Sequence, residues 1–523
     1  MKLTHKIIGI LACMLSTGAT MAQDVDICIY GGTSSGVMAA YTARKQGKTV
    51  LLVEPTNRIG GLTTGGLGMT DIGNPFIMKG YTKDFYQKIG NYYGTEGMHF
   101  LFEPKVALQL FQQMVDEAGI DILYGYRLRK VKKQGNVIQE CIFENSNNPK
   151  RKSCKSIRAQ VFIDCSYEGD LMARAGVNYT VGREDNSQYG ETWNGACISK
   201  YHQFPDGISP YRVKDDPKSG LVYGILPGDP TPNGTGDNHV QAYNFRITLT
   251  DDPQNLIPIS EPENYDPSRY ELLIRQIEAT PEIKELNDIF GWAKMPNHKT
   301  DINNRGGLSS DMIGANWDYP EANYKKRWKI WKEHLDYTKG LLYFVGHDER
   351  MPESIRKEMQ TYGYPKDEFL DTDHFTPQLY IRESRRMIGR YVMTEADCNS
   401  KTEIDDAIGW AAYNMDSHNS GRYVINGMVK NEGDVQIRLP KPYRVSYRAI
   451  TPKTEECANL LVPVCLSASH IAYGSIRMEP VFMVLGQSAA LAAVQVLDKH
   501  LDCVQAVSPQ QVYDAMEASS KSN

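Results

Sequence analysis

Residues 24–55 read DVDICIYGGTSSGVMAAYTARKQGKTVLLVEP. Val25 to Tyr30 is a short apolar run of β character, and Gly31 to Gly36 is a glycine-bearing turn. Val37 to Gln46 carries Ala39, Ala40 and Ala43, small residues that let a helix lie close to a sheet. A second strand, TVLLVEP, ends in Glu54, which stands 18 residues after Gly36. That spacing is near the ~20 residues at which a dinucleotide fold places its ribose-binding carboxylate. One position departs from the G-x-G-x-x-G pattern, because Thr33 occupies the place of the glycine that admits the pyrophosphate. By itself the stretch is either a dinucleotide site or the first βαβ unit of some other α/β domain.

A second glycine-rich segment follows at once. NRIGGLTTGGLGMTDIGN, from Asn57 to Asn74, holds six glycines around Arg58 and a threonine pair. Such a loop offers backbone N–H groups to phosphate and brings main chain against a flat ring. An NAD enzyme of the Rossmann type has no need of it, whereas an FAD enzyme does, because the flavin end extends beyond the first βαβ unit.

Further along, KVALQLFQQMVDEAG (Lys105 to Gly119) shows helical spacing and IDILYGYRLRKVKKQGNVIQECIFEN alternates as strands. AQVFIDCSYEGDLMARAGV (Ala159 to Val177) reads as strand, turn and a helix starting near Gly169 and Asp170. From Arg183 to Lys430 the chain is aromatic, proline-punctuated and irregular, as expected of an inserted substrate or cap domain. The last part ends in an apolar helix from about Pro480, whose Gln487, Ser488 and Gln495 mark it as buried rather than membrane-spanning. The expected division is a signal peptide over 1–22, a nucleotide-binding part over 24–182, an inserted α+β domain over 183–430, and a return to the nucleotide-binding part over 431–520.

The 523 residues are 41% apolar and 23% charged, with net charge -5. No basic run or arginine-rich stripe is present, so nucleic acid is not an expected partner and a small-molecule substrate is. At the N-terminus, Lys2 and Lys6, an apolar run from Ile7 to Leu15, and Thr20 and Ala22 at a cleavage site ahead of Gln23 read as a secretory leader. The protein is therefore expected to be exported, periplasmic or secreted; a lipidated Cys13 is the competing reading. No cysteine pair has C-x-x-C spacing, and no metal site is expected; DTDH at Asp371 to His374 reads as a turn. Cys141 and Cys154 flank a hairpin-like connection that would allow one disulfide in an exported protein.

Five stretches together resemble one family, the glutathione-reductase-like FAD-dependent oxidoreductases of bacteria: YGGTSSGVMAA, RIGGLTTGGLG, VFIDCSYEGDLMARAGVNYTVGRE, YIRESRRMIGRY and NLLVPVCLSASHIAYGSIRMEPVFMVLGQSAA. The resemblance spans nearly the whole mature chain and implies an α/β fold, a Rossmann-like FAD-binding domain with an inserted α+β substrate or cap domain. By position it assigns Gly31, Gly32, Ser35 and Gly36 to the pyrophosphate turn, and Glu54, with Pro55 beside it, to the adenosine ribose. Arg58, Gly60, Gly61, Leu62 and Thr63 would line the second phosphate and ribityl region. Cys165 and Ser166, with Asp164, precede Gly169 and Asp170 on the adenine side. Arg477 to Val481, which includes Met478, Glu479 and Pro480, would aim helix N-terminal N–H groups at the flavin pyrimidine. NLLVPVCLS lacks the Gly-Asp or Gly-Arg pair of the broader superfamily.

Oxidation by such an enzyme needs a base and groups that orient the substrate. The candidates are His470, Arg477 and Arg382, with Arg385 and Arg386 behind them. Set against these roles are a satisfied core histidine and a helix face of ion-paired arginines in RESRR. His470 and Arg477 are expected to meet across a turn containing Gly474. The abundant aromatics of the insert, among them Trp292, Trp317, Trp328 and Trp331, suit stacking on sugar rings or a core equally well. The function that follows is oxidation of a hydroxylated small molecule, a carbohydrate or polyol, with an electron acceptor that the sequence does not name. The alternative is a secreted carbohydrate-binding or lyase-like protein in which FAD is structural or absent.

Overall fold

The computed structural model describes residues 22–519. The expected leader up to Met21, with Cys13, lies outside the described residues. Strand β1 (Gln23–Tyr30) runs into helix α1 (Ser34–Lys45) and back into β2 (Val50–Glu54), which lies parallel to β1 with Ile27 beside Val50 and Tyr30 beside Val53. Helix α2 is the single turn Gly61–Thr64, α3 is Gly80–Tyr92 and α4 is Pro104–Ala118. Strands β3 (Asp121–Tyr124), β4 (Tyr126–Gln134), β5 (Val137–Asn145) and β6 (Lys155–Asp164) complete the first part. The sheet order is β3-β2-β1-β6-β5-β4, and Leu460–Leu461 adds a seventh strand beside β6.

The residue pattern explains this order. Ile27 to Tyr30, Val50 to Val53 and Val161 to Ile163 are buried apolar runs, as central parallel strands covered on both faces require. In β4 and β5, by contrast, buried and accessible residues mix, and these strands form an antiparallel ribbon paired with the first half of β6. The expected meander inside a Rossmann-like sheet is thus observed.

Two expectations need correction. Cys141 lies opposite Ile157, and Phe143 opposite Lys155, so Cys154 falls out of register with Cys141 and both thiols are free. The alanine-rich faces of α1 and of the helix Glu479–Asp498 pack chiefly on each other rather than on the sheet. A Cβ at Gly486 would collide with the Ser35 carbonyl oxygen, so glycine is what allows that approach. Ala407–Ala411 pairs with Tyr443–Ser446 and Met415–Ser417 with Val435–Ile437. The helix Glu479–Asp498 is long and apolar enough to cross a membrane, yet it is buried within the fold.

Much of the rest of the middle region is short two-stranded ribbons around one long helix, Tyr324–His347. Its aromatic residues are largely engaged within the chain. Trp317 stacks on His239 with ring centroids 3.5 Å apart, Trp331 donates to the Pro377 carbonyl, and Trp292 packs edge-on to Tyr362. Trp328 is exposed.

Candidate functional site

The turn after β1 is built by close backbone approach. Gly31 has φ +95°, and a Cβ on it would lie 2.7 Å from the Ser166 nitrogen and 2.8 Å from the Cys165 carbonyl carbon. A Cβ on Gly36 would overlap the Gly31 carbonyl oxygen. Thr33, the departure from the glycine pattern, has φ -65° and needs no glycine. It caps α1 instead: its hydroxyl oxygen accepts from Gly36 N–H at 3.3 Å while the hydroxyl donates to the Cys165 carbonyl at 2.8 Å. At the same helix start the Ser35 hydroxyl is buried without a hydrogen-bond partner.

Glu54 ends β2 against this turn. One carboxylate oxygen accepts from Gly32 N–H at 2.7 Å, and the other from the Thr56 N–H at 2.7 Å and the Thr56 hydroxyl at 2.6 Å. Burial raises its pKa to about 6, against those hydrogen bonds. An unpartnered hydroxyl, a helix N-terminus with its partial positive charge, and a carboxylate at the end of the neighbouring strand match a pyrophosphate and a ribose. Gly31, Gly32, Ser35, Gly36 and Glu54 are therefore brought together, with Pro55 half-buried beside them.

The second glycine segment meets the same turn through an isolated bridge between Thr33 and Gly60, and Gly60, with φ 91°, caps α2. Here a side chain contributes where only backbone was expected. The Glu479 carboxylate accepts from the Ser34 hydroxyl at 2.5 Å, the Tyr167 hydroxyl at 2.7 Å and the Thr63 hydroxyl at 2.9 Å, which ties α1, α2 and the last helix together. Burial raises its pKa. Leu62 N–H donates to the Tyr167 oxygen at 2.9 Å. Met478 is the N-cap and Pro480 stands in the first turn of that helix, with Val481 buried after it.

Two members of the assigned set have their charges engaged elsewhere. Arg58 pairs with Asp371 and lies over the Phe369 ring. Asp170, after the left-handed Gly169, binds Arg327 at 2.8 Å and Arg385 at 2.8 Å. Burial alone would raise the Asp170 pKa, but Arg327, Arg174 and Arg385 bring it down to about 2. Cys165 and Ser166 are buried at the end of β6, where the Ser166 hydroxyl donates to Asp164 at 2.6 Å.

The three proposed catalytic residues lie close together and are all buried. RESRR is irregular backbone leading into the strand Arg386–Met387 rather than a helix, so its arginines diverge: Arg382 to Asp311, Arg385 to Asp170 and Glu321, Arg386 to Glu184 and Glu383. Gly474 is not in a turn. It lies inside the helix His470–Ile476, and the seven-residue separation of His470 and Arg477 is two helical turns, which puts them on one face. Arg477 donates to the Tyr380 hydroxyl at 2.6 Å and to Asp416 at 2.8 Å, and Arg382 and Arg477 both lie against the Tyr380 ring. His470 has both nitrogens engaged, Nδ1 with Glu383 at 2.7 Å and Nε2 with the Ser417 hydroxyl at 3.1 Å. Burial alone would raise Glu383, but His470 and Arg386 hold it below its ordinary value.

Sequence reasoning passed over His418. Its Nδ1 lies 2.6 Å from Asp311, its Nε2 3.8 Å from Asp416, and its ring centroid 5.9 Å from that of His202, which is itself oriented by Asp434 at 2.8 Å. Asp311 is held at about 2 by Arg382 and His418, although burial opposes them. The signal was present as Asp416-x-His418, since residues two apart along an extended segment share a face. Arg382 Nε and Arg477 Nε are buried donors without hydrogen-bond partners in this cluster.

A βαβ turn of this geometry, a second glycine loop bridged to it, and a charged cluster in one chain define a dinucleotide-binding α/β enzyme. The chain belongs to the FAD-dependent oxidoreductase family, whose model matches residues 26–516. It is an FAD-dependent oxidoreductase with FAD as its cofactor, and a binding or lyase-like protein without flavin chemistry is not favoured. Solved structures similar over about a third of the chain include THI4 of Thermovibrio ammonificans (20% identity, 31% of this chain and 66% of that one, TM-score 0.25). Others are the 3-ketosteroid-delta4-(5alpha)-dehydrogenase of Rhodococcus jostii RHA1 (14%, 31% and 50%, 0.22) and a flavoprotein/dehydrogenase of Cytophaga hutchinsonii (15%, 32% and 47%, 0.22). The chain thus matches between 47% and 66% of the length of these proteins. Comparison with curated proteins returns no match.

Proposed function

We propose that this oxidoreductase removes hydrogen from a hydroxylated small molecule, a carbohydrate or polyol, with His418 taking the hydroxyl proton and Arg477 and Arg382 orienting the substrate. The observation that carries the reading is the Asp311–His418 pair. Because Asp311 is ionised at neutral pH, Nδ1 of His418 donates to it, which leaves Nε2 as the nitrogen that would take the proton. The unpartnered Nε–H groups of Arg477 and Arg382 are available to a substrate oxygen. His202, partly exposed and raised in pKa by Asp434 against the effect of burial, gives the proton a route outward. His470, with no free nitrogen, acts as a positioning residue through Ser417, the neighbour of His418. FAD, when bound, supplies the acceptor for the hydride that leaves the substrate carbon.

The test is an anaerobic substrate screen read by loss of flavin absorbance, repeated with His418→Gln on any substrate found. A hydroxylated substrate whose reduction step falls about 10²- to 10⁴-fold in the variant supports the reading, as general-base catalysis predicts. Wild-type rates in His418→Gln would overturn it. The same reading includes export with cleavage after Ala22: N-terminal sequencing of protein recovered outside the cytoplasm is expected to start at Gln23, and a retained Met1 or a lipidated Cys13 would refute it.

A further inference from the structure

Eight arginines are buried among the described residues: Arg183, Arg246, Arg327, Arg382, Arg385, Arg386, Arg422 and Arg477. Seven of them sit within ion-pair distance of a carboxylate. Arg422, only 3% exposed, does not. Its contacts are neutral: Nε donates to the Asn431 side-chain oxygen at 2.9 Å, Nη2 to the Gly307 carbonyl at 2.9 Å, and Nη1 to the Gly224 carbonyl at 3.5 Å. Burial without a paired charge brings this guanidinium down to about 10. A buried cation that lacks a counter-charge is costly, and folded proteins pair such groups or give them a ligand.

Arg422 lines a cavity of about 210 Å³, and a second arginine lines it too. Arg269 lies over the Tyr223 ring at 5.3 Å, has no carboxylate within ion-pair distance among the described residues, and keeps a buried Nη1 without a hydrogen-bond partner. Tyr337 and Met312 form apolar wall, and the exposed Tyr223 marks the mouth. The one carboxylate in the lining, Asp311, is already held by Arg382 and His418. Near Tyr223, Asp266 and Glu333 are exposed; Asp266 feels the charge of Arg269, but neither acid is within ion-pair distance of Arg269 or Arg422 among the described residues. The volume corresponds to roughly seven waters at ~30 Å³ each, room for a small organic group.

We infer that this cavity binds a small organic anion, with Arg422 and Arg269 gripping a carboxylate or sulfate group and Tyr223 covering the attached body. Paired guanidinium groups suit these planar or tetrahedral oxyanions better than a point charge does. The cavity adjoins the proposed oxidation site through Asp311, which belongs to both linings, but ligand capture here needs no flavin chemistry.

The experiment is calorimetric titration of the FAD-loaded protein with acetate, inorganic sulfate and glucuronate, with glucose as the neutral control, at low salt. At least one anion is expected to bind, and tenfold or more tighter than glucose. Arg422→Gln keeps the hydrogen-bonding shape and removes the charge, and is expected to weaken that anion at least tenfold. Arg269→Gln, at a half-buried position, is the second arm should Arg422→Gln not fold, and is expected to give the same loss with FAD content unchanged. No binding by any of the three anions, anion binding no tighter than glucose, or binding unaltered in the folded variants would each overturn the inference.

Discussion

Gly31→Ala is the sharpest test of the cofactor turn. At φ +95° an alanine carries a backbone penalty of about 1–2 kcal/mol. Its Cβ would also meet three fixed backbone atoms of the β6 end, the Ser166 nitrogen at 2.7 Å, the Cys165 carbonyl carbon at 2.8 Å and the Cys165 oxygen at 2.9 Å. Because these belong to main chain in the sheet, relief requires moving the turn, at an overpacking cost of about 1–3 kcal/mol. The total of about 2–5 kcal/mol falls on the segment that presents the N-terminus of α1, so FAD affinity is expected to fall about thirtyfold or more. Gly47→Ala is the matched control for backbone strain alone, since at φ +77° its Cβ would meet nothing within 4 Å. The assay is FAD titration of apoprotein by fluorescence quenching, with thermal unfolding alongside. Wild-type FAD affinity and melting temperature in Gly31→Ala would refute the geometry.

Thr33→Gly, which restores the usual glycine pattern, is expected to lower stability by only a few tenths of a kcal/mol through loss of the α1 cap and to bring no gain in FAD affinity, as unfolding and FAD titration would reveal. His470→Gln is expected to slow flavin reduction less than His418→Gln while FAD content stays near wild type, and the reverse ranking in stopped-flow measurements would move the base to His470. Asp170 at about 2, below its ordinary 3.8, contributes stability that is fully present above pH 3.8 and lost as pH falls towards 2. The gap in melting temperature between wild type and Asp170→Asn should therefore close over that pH window, and a constant gap would contradict the ion cluster with Arg327 and Arg385.

What the sequence determined by itself was local and periodic. Ile27 to Tyr30, Gly31 to Gly36 and Val50 to Glu54 had to form a βαβ unit, because the alanine-rich helix satisfies its own backbone hydrogen bonds and the two apolar runs on either side of it pair with each other. The meander of β4 and β5 and the buried last helix were readable for the same reason. Tertiary structure decided everything that depends on which distant groups meet. Thr33 serves as a cap because Cys165 comes to it from 132 residues away, and Glu479 reaches Ser34 across 445. RESRR looked like a solvated helix face, since charge runs usually are, but the burial of Asp311, Asp170 and Glu184 beside it made irregular backbone and paired arginines the lower-energy state. His418 was invisible because a histidine gains its chemistry from the carboxylate that orients it, and Asp311 lies 107 residues earlier in the chain. Loop-closure entropy grows only slowly with such separations, so nothing in the local sequence has to announce which side chains the fold will join.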